Sequence, residues 1–274
     1  MTGRSFENRR ILLTGATGSI GREVAFHLAR HGAELILPGR NQKSGESLKS
    51  GLLARCPGAR ITLLPVDMGD EASVLRLADL LLEENMPLDA LIHNAGVLTR
   101  DSQLSPQGIE WHRQVNALSP LLLTEKLLPL LNAAPQPVVL SVTSLSAFYV
   151  SDDPKQGLSS PTLLYAHSKR SLLLEMEKLA KSQPDIAFLY AHPSICATGL
   201  FTDETNKAAY NRLLMKIALP VMRRVFMPPE RACQPILYGL FHGQPGQLAE
   251  PRGLLNIWGK PQLVPLARRL KTHR

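Results

Sequence analysis

Tyr165 and Lys169 stand four residues apart in Tyr165-Ala-His-Ser-Lys169, so on a helix the phenol and the ammonium project from one face. A free phenol, with a pKa of about 10, is a poor base at neutral pH. A cation a few Å away lowers that value by ~1–3 units and makes proton exchange with a substrate oxygen feasible. The pair alone is common on helix surfaces and gains meaning from its company. Upstream, an apolar run ends in Thr143-Ser144-Leu145-Ser146, with Ser144 the first candidate hydroxyl and Thr143 and Ser146 the alternatives. Asn116 precedes Pro120 by four residues. Proline has no N–H, so the Asn116 carbonyl loses its intrahelical partner and is free to hold a water that relays protons; the other reading is a kink without function.

A second signal lies near the N-terminus, in Thr14-Gly15-Ala16-Thr17-Gly18-Ser19-Ile20-Gly21-Arg22. An apolar strand breaks into three glycines and a helical pattern follows. Gly15 and Gly18 permit a tight turn and close approach of a pyrophosphate, and Gly21 lets the helix pack on the sheet. The helix N-terminus then offers unpaired N–H groups to phosphate oxygens. The next strand ends in Gly39-Arg40-Asn41, beside the expected adenosine ribose. An acid there would bond the 2′-hydroxyl of NAD; Arg40, with Arg22 as a second cation, favours the 2′-phosphate of NADP instead. Asp67-Met68 ends a third strand and is placed to face an adenine, and His93-Asn94-Ala95-Gly96 forms a small-residue turn at the same edge. No set of metal ligands is read from the chain.

These groups need a scaffold, and the hydrophobic periodicity supplies one. Strands are expected at 10–14, 34–38, 60–66, 88–92, 137–143, 186–191 and 254–257. Helices are expected at 19–31, 43–54, 71–84, 107–132, 162–182, 208–226 and 229–241. The alternation implies an α/β chain: a doubly wound Rossmann fold, with a parallel sheet of about seven strands and helices on both faces. Residues 1–274 read as a single dinucleotide-binding domain. Ser105-Pro106 and Ser160-Pro161 each place a capping side chain before a proline, and so mark the starts of the helices over 107–132 and 162–182. The segment 203–226 mixes apolar and basic residues. Its apolar face suits a lipophilic or bulky substrate, and suits packing on the core equally.

Composition narrows the classes. The 274 residues are 44% hydrophobic, and the formal net charge of +8 is spread along the chain, which places nucleic acid well behind an anionic cofactor or substrate. No apolar run reaches the length of a membrane span, the N-terminus starts polar, and peripheral membrane contact ranks third for the basic 203–226 stretch. Cys56, Cys196 and Cys233 are odd in number and far apart, which points to free thiols and a cytoplasmic setting.

Taken jointly, Thr14 through Gly21, Asp67, Asn94-Ala-Gly96, Asn116, Ser144, Tyr165-x-x-x-Lys169 and Pro193 through Thr198 resemble the short-chain dehydrogenases/reductases over roughly residues 9 to 243. Within that family the likeness is to the retinol-dehydrogenase and WW-domain-oxidoreductase-like branch. The resemblance implies Tyr165 as general acid/base, Lys169 as its electrostatic partner and ribose ligand, and Ser144 as the donor that polarises a carbonyl. It further implies that Asn116 keeps a relay water and that Pro193, Ile195 and Thr198 border the nicotinamide. The implied reaction is hydride exchange between an NADP nicotinamide and a small-molecule carbonyl or alcohol, with residues 199–228 as a substrate lid and a homodimer or homotetramer as the assembly. A cofactor-binding scaffold without turnover is the alternative, and a sugar-nucleotide epimerase a third. The chain departs from the family pattern at Ser19, His93 and Ser194.

Overall fold

The computed structural model describes residues 3–99, 103–152, 160–193, 227–253, 256 and 258–271. Its centre is an eight-stranded sheet. The strands are β1 (Arg10–Leu13), β2 (Glu34–Gly39), β3 (Arg60–Pro65), β4 (Ala90–His93), β5 (Val138–Val142), β6 (Ala187–Ala191), β7 (Gln247–Pro251) and β8 (Pro261–Pro265). Their order is β3-β2-β1-β4-β5-β6-β7-β8, parallel throughout except for the antiparallel β7–β8 pair. The order reverses direction between β1 and β4, where Leu12 pairs with both Ile36 of β2 and Leu91 of β4. In sheets of this kind, such a switch point opens a crevice at the carboxyl ends of the strands.

β1, β4 and β5 are buried at every position, which is why they read as unbroken apolar runs. Alternate side chains feed two cores. Leu12, Ile36, Leu91 and Val139 meet the helices α3 (Glu71–Glu84), α5 (Ser119–Asn132) and α6 (Pro161–Ser182). Ile11, Leu13, Leu35 and Leu140 meet α1 (Ser19–Arg30), α2 (Gln42–Arg55) and α8 (Gln234–His242) on the other face. The short helices α4 (Trp111–Arg113), α7 (Pro229–Ala232) and α9 (Leu266–Lys271) complete the described set.

Two expectations need correcting. The helix expected over 107–132 begins at Trp111 and runs to Asn132, with its winding widened to a π-helix over Gln114–Leu118. Ser105 caps no helix: its Oγ accepts from the N–H groups of Gln107 and Ile109 in a turn closed by the Leu104–Glu110 bridge, and Glu110 caps α4. The strand expected at 254–257 is replaced by β7 and β8 on either side; of that stretch Asn256 is described, and it is helical with φ 55°.

Candidate active site

Six strand ends, those of β1 to β6, bring the candidate groups to one edge of the sheet. β1 runs into the glycine turn, where Gly15 has φ 68° and a Cβ would sit 2.7 Å from Ala95 Cα. That conformation and that distance both call for glycine. The turn is clamped from β4. Thr14 Oγ1 accepts from the N–H groups of Asn94 (3.2 Å) and Ala95 (3.1 Å), while Asn94 Nδ2 donates to the carbonyls of Thr14 and Gly15. Asn94 is therefore spent on the loop itself. Gly21 packs so tightly that a Cβ would lie 2.7 Å from Asn94 Nδ2 and inside contact with the Gly15 carbonyl.

Beyond the turn lies a cleft of about 560 Å³. Thr14, Gly15, Thr17, Gly18, Ser19, Ile20, Gly21, Arg40, Asp67, Met68, Asn94, Ala95 and Gly96 all line it, so thirteen of the sequence-derived binding residues converge. α1 opens into it with Gly18 as N-cap, no side-chain cap and no acid in its first turn. Ser19 Oγ is buried there without a hydrogen-bond partner among the described residues. An uncapped helix N-terminus beside an orphaned hydroxyl fits the pyrophosphate of a dinucleotide. Two groups are placed otherwise. Arg22 is exposed on α1 and is not among the residues lining the cleft. Asn41 caps α2 by accepting from Ser44 N–H at 3.0 Å. Asp67 turns its Oδ1 back to Gly69 N–H at 2.8 Å.

Trp111, Gly69, Leu98 and Thr99 also line the cleft and were not anticipated. A Cβ on Gly69 would collide with the Trp111 ring, so that glycine is required by the indole. His112, beside Trp111, is buried between Glu110 Oε1 (2.6 Å to Nδ1) and the Thr99 N–H (3.1 Å to Nε2), and so fastens the 97–99 segment to α4. Such long-range pairings leave no signal in spacing or periodicity.

The hydroxyl, phenol and amine assemble across β5 and α6. Ser144 caps the 3₁₀ turn Leu145–Tyr149 that follows β5. Its Oγ accepts from Ser146 Oγ at 3.0 Å, and of the three candidate hydroxyls Ser144 is the one whose hydrogen bond bears on the Tyr165 phenol. Thr143 Oγ1 is buried without a partner among the described residues. Lys169 is buried and donates to the Val142 carbonyl at 3.0 Å, and burial lowers its pKa to about 8. The expectation that Lys169 depresses the Tyr165 phenol is not met. Burial raises the phenol, and the Ser144 hydrogen bond opposes that rise.

Asn116 sits within a π-helical segment, Gln114–Leu118, in which Ser119 N–H reaches back to the Gln114 carbonyl. The proline at 120 thus coincides with a widened turn rather than a simple kink. The Asn116 carboxamide makes a reciprocal pair with Val97, accepting from its N–H at 2.8 Å and donating to its carbonyl at 2.9 Å. It also donates to Ser168 Oγ, which in turn donates to the Tyr165 carbonyl. The β4 end, the π segment and the first turns of α6 are thereby joined. His93, buried beneath, meets Thr124 Oγ1 at 2.7 Å and is held neutral, its pKa lowered to about 3 by burial and then by Lys169. Pro193 follows β6 at the same edge. Ile195, Thr198, Ser194, the helix expected over 208–226 and the 199–228 segment up to residue 226 lie outside the described residues.

The short chain dehydrogenase family model matches residues 9–208. The chain belongs to the short-chain dehydrogenase/reductase family. Among relatives of this family, retinol dehydrogenase 12 of Mus musculus is 32% identical over 177 residues, covering 62% of this chain and 55% of that protein. Similarity toward the retinol-dehydrogenase branch is therefore evident. The curated relatives are matched over 55–65% of their own length. Among solved structures, an uncharacterized protein from Mycobacterium paratuberculosis superposes with TM-score 0.73 at 27% identity, covering 98% of this chain and 89% of that one. A short chain dehydrogenase from Burkholderia cenocepacia in complex with NADP superposes with TM-score 0.67 at 22% identity, covering 88% and 93%. The second likeness establishes the shared Rossmann architecture of this short-chain dehydrogenase fold. Among the described residues, no helix is long and apolar enough to cross a membrane.

Proposed function

We propose that the chain is an NADP-dependent oxidoreductase that interconverts a carbonyl and an alcohol on a lipophilic or bulky small molecule, in the cytoplasm. The observation that carries the reading is the Tyr165 phenol hydrogen-bonded to Ser144, on the helix that buries Lys169, at the sheet edge where the glycine-lined cleft opens. Bound in that cleft, a nicotinamide dinucleotide supplies or accepts the hydride.

The chain's own residues do the rest. Gly15, Gly18 and the N–H groups of α1 hold the pyrophosphate, with Ser19 Oγ as a further donor. Arg40 lines the ribose end of the cleft as an exposed guanidinium, and no acid is among the lining residues of β2, which favours a 2′-phosphate. Ser144 and Tyr165 donate to the substrate oxygen, and Tyr165 passes its proton to that oxygen in reduction or takes it in oxidation. A phenol raised by burial stays protonated at neutral pH, as a proton donor must. The Lys169 ammonium, poised near pH 8 one helical turn from Tyr165, would hold the ribose of the bound dinucleotide and keep a positive charge beside the phenol. Asn116 holds the relay in place and leaves its main-chain carbonyl for water.

The test is an NADPH-absorbance screen over aldehydes, ketones and retinoid-like substrates, with Tyr165→Phe as the control. A drop of about 10²–10⁴-fold in kcat, with NADPH binding retained, is expected. Equal rates in wild type and Tyr165→Phe refute the assignment.

A further inference from the structure

Ser144 is the polarising donor in the reading above, and an isolated serine hydroxyl is a poor one because it rotates. It carries one proton and two lone pairs, and nothing intrinsic decides which of them faces a neighbour. In this chain the choice is made by a second hydroxyl. Ser146 Oγ donates to Ser144 Oγ at 3.0 Å, and the Ser146 main-chain N–H approaches the same oxygen at 3.4 Å. With both acceptor positions of Ser144 directed at residue 146, its proton is left for the phenol side, where Tyr165 stands.

We infer that Ser146 is a positioning residue: its hydroxyl fixes the rotation of the Ser144 hydroxyl, so that Ser144 donates toward Tyr165 and the substrate oxygen between them. The turn that carries both serines is held rigidly enough for this. Ser144 has extended backbone dihedrals and caps the 3₁₀ turn. Arg170, buried on α6, donates to the Ala147 carbonyl at 3.2 Å and pairs with Asp152 at 2.6 Å. The same helix presents Tyr165, so turn and phenol share one anchor. The hydroxyl chain runs Ser146 to Ser144 to Tyr165, each donating to the next. Removal of the first link lets Ser144 turn round and accept from the phenol. That inverted bond stabilises the protonated phenol, whereas the native bond stabilises the phenolate.

The inference rests on the oxidoreductase reading for its consequence in turnover, but its physical content is tested without turnover. Tyrosine labelled at Cζ with carbon-13, with Tyr165→Phe to assign the resonance, reports the onset of phenol ionisation in the intact protein. In Ser146→Ala the onset moves up by about half a pH unit, and in Ser146→Thr, which keeps the hydroxyl, it stays at the wild-type position. In carbonyl reduction, kcat falls about fivefold in Ser146→Ala with KM within twofold, and Ser146→Thr restores it. If no carbonyl is reduced while Ser146→Ala still moves the phenol, the oxidoreductase reading fails and the orienting role stands. The same ionisation onset in wild type and Ser146→Ala overturns the orienting role. A displacement in Ser146→Thr as large as that in Ser146→Ala overturns it equally.

Discussion

The three glycines of the first turn are not equivalent, and alanine substitution separates the ones the fold requires from the one a ligand requires. At Gly21 a methyl group would meet Asn94 Nδ2 at 2.7 Å and overlap the Gly15 carbonyl, both backbone-anchored neighbours that cannot swing aside. Relieving that contact pushes α1 off the turn and breaks the Asn94 clamp. Overpacking of this kind costs about 1–3 kcal/mol, or roughly 2–5 °C in melting temperature for a chain of this size. At Gly18 the backbone is extended (φ −70°, ψ 161°), a conformation alanine adopts without strain, and the nearest atom to a Cβ is the Gly15 carbonyl at 3.4 Å. Gly18→Ala should therefore melt at or slightly above the wild-type temperature, since alanine narrows the unfolded ensemble by about 0.4–1 kcal/mol. Its methyl nevertheless stands in the cleft, where phosphate oxygens must approach the backbone. Loss of one charge-assisted hydrogen bond, about 1.5–3 kcal/mol, weakens NADPH binding by about 10- to 100-fold. Thermal scanning and NADPH fluorescence titration read the two effects separately. Wild-type affinity in Gly18→Ala refutes the phosphate placement, and a wild-type melt in Gly21→Ala refutes the steric reasoning.

Arg40→Ala should raise the Kd for NADPH at least tenfold and leave that for NADH within twofold, by fluorescence titration; unchanged discrimination removes the 2′-phosphate assignment. Glu250 is fully buried and held by Arg269 through Nε at 3.0 Å and Nη2 at 2.5 Å. Arg269→Ala leaves that carboxylate uncompensated and should cost about 3–5 kcal/mol in chemical denaturation, whereas a loss under 1 kcal/mol would mean that water replaces the guanidinium. Lys169, lowered by burial to about 8 from 10.5, holds its proton at a cost in the folded state. Between those pH values the unfolded chain binds more protons, so stability rises with pH across that window. Lys169→Met should flatten that rise in denaturation midpoints measured from pH 7 to 10.5, and an unflattened curve would place the titration elsewhere.

How much could be read beforehand depended on how local each cause was. β1, β4 and β5 are buried on both faces, so composition alone marks them. Tyr165 and Lys169 were legible because helical spacing fixes their shared face, and the glycine turn because close backbone approach leaves glycine as the residue that fits. Where tertiary context chose between equivalent local signals, the reading went astray. Ser105-Pro106 has the form of a helix cap, yet the chain closes a turn there and Glu110 takes that role. β8 begins and ends in proline, tolerated because it is an edge strand, and the apolar residues before it drew the strand assignment instead. The Lys169 ammonium also bonds the Val142 carbonyl, a partner 27 residues away that no periodicity reveals.

Asn116 shows how the assembled site constrains the roles its parts can take. Its side-chain oxygen is given to Val97 N–H, and its amide nitrogen to the Val97 carbonyl and Ser168 Oγ. Both N–H donors of the carboxamide are spent and its oxygen already accepts from Val97, so what the side chain mainly does is hold its neighbours in place. What it holds is considerable. Val97 continues the turn whose Asn94 grips the glycine loop, and Ser168 bonds the Tyr165 carbonyl one turn before Lys169. The glycine turn and the helix that carries Tyr165 are therefore connected through one buried amide, in a segment already widened into a π turn. A rigid coupling of this kind fixes the distance between the glycine turn and the phenol, which the proposed delivery of hydride and proton to one carbonyl would demand.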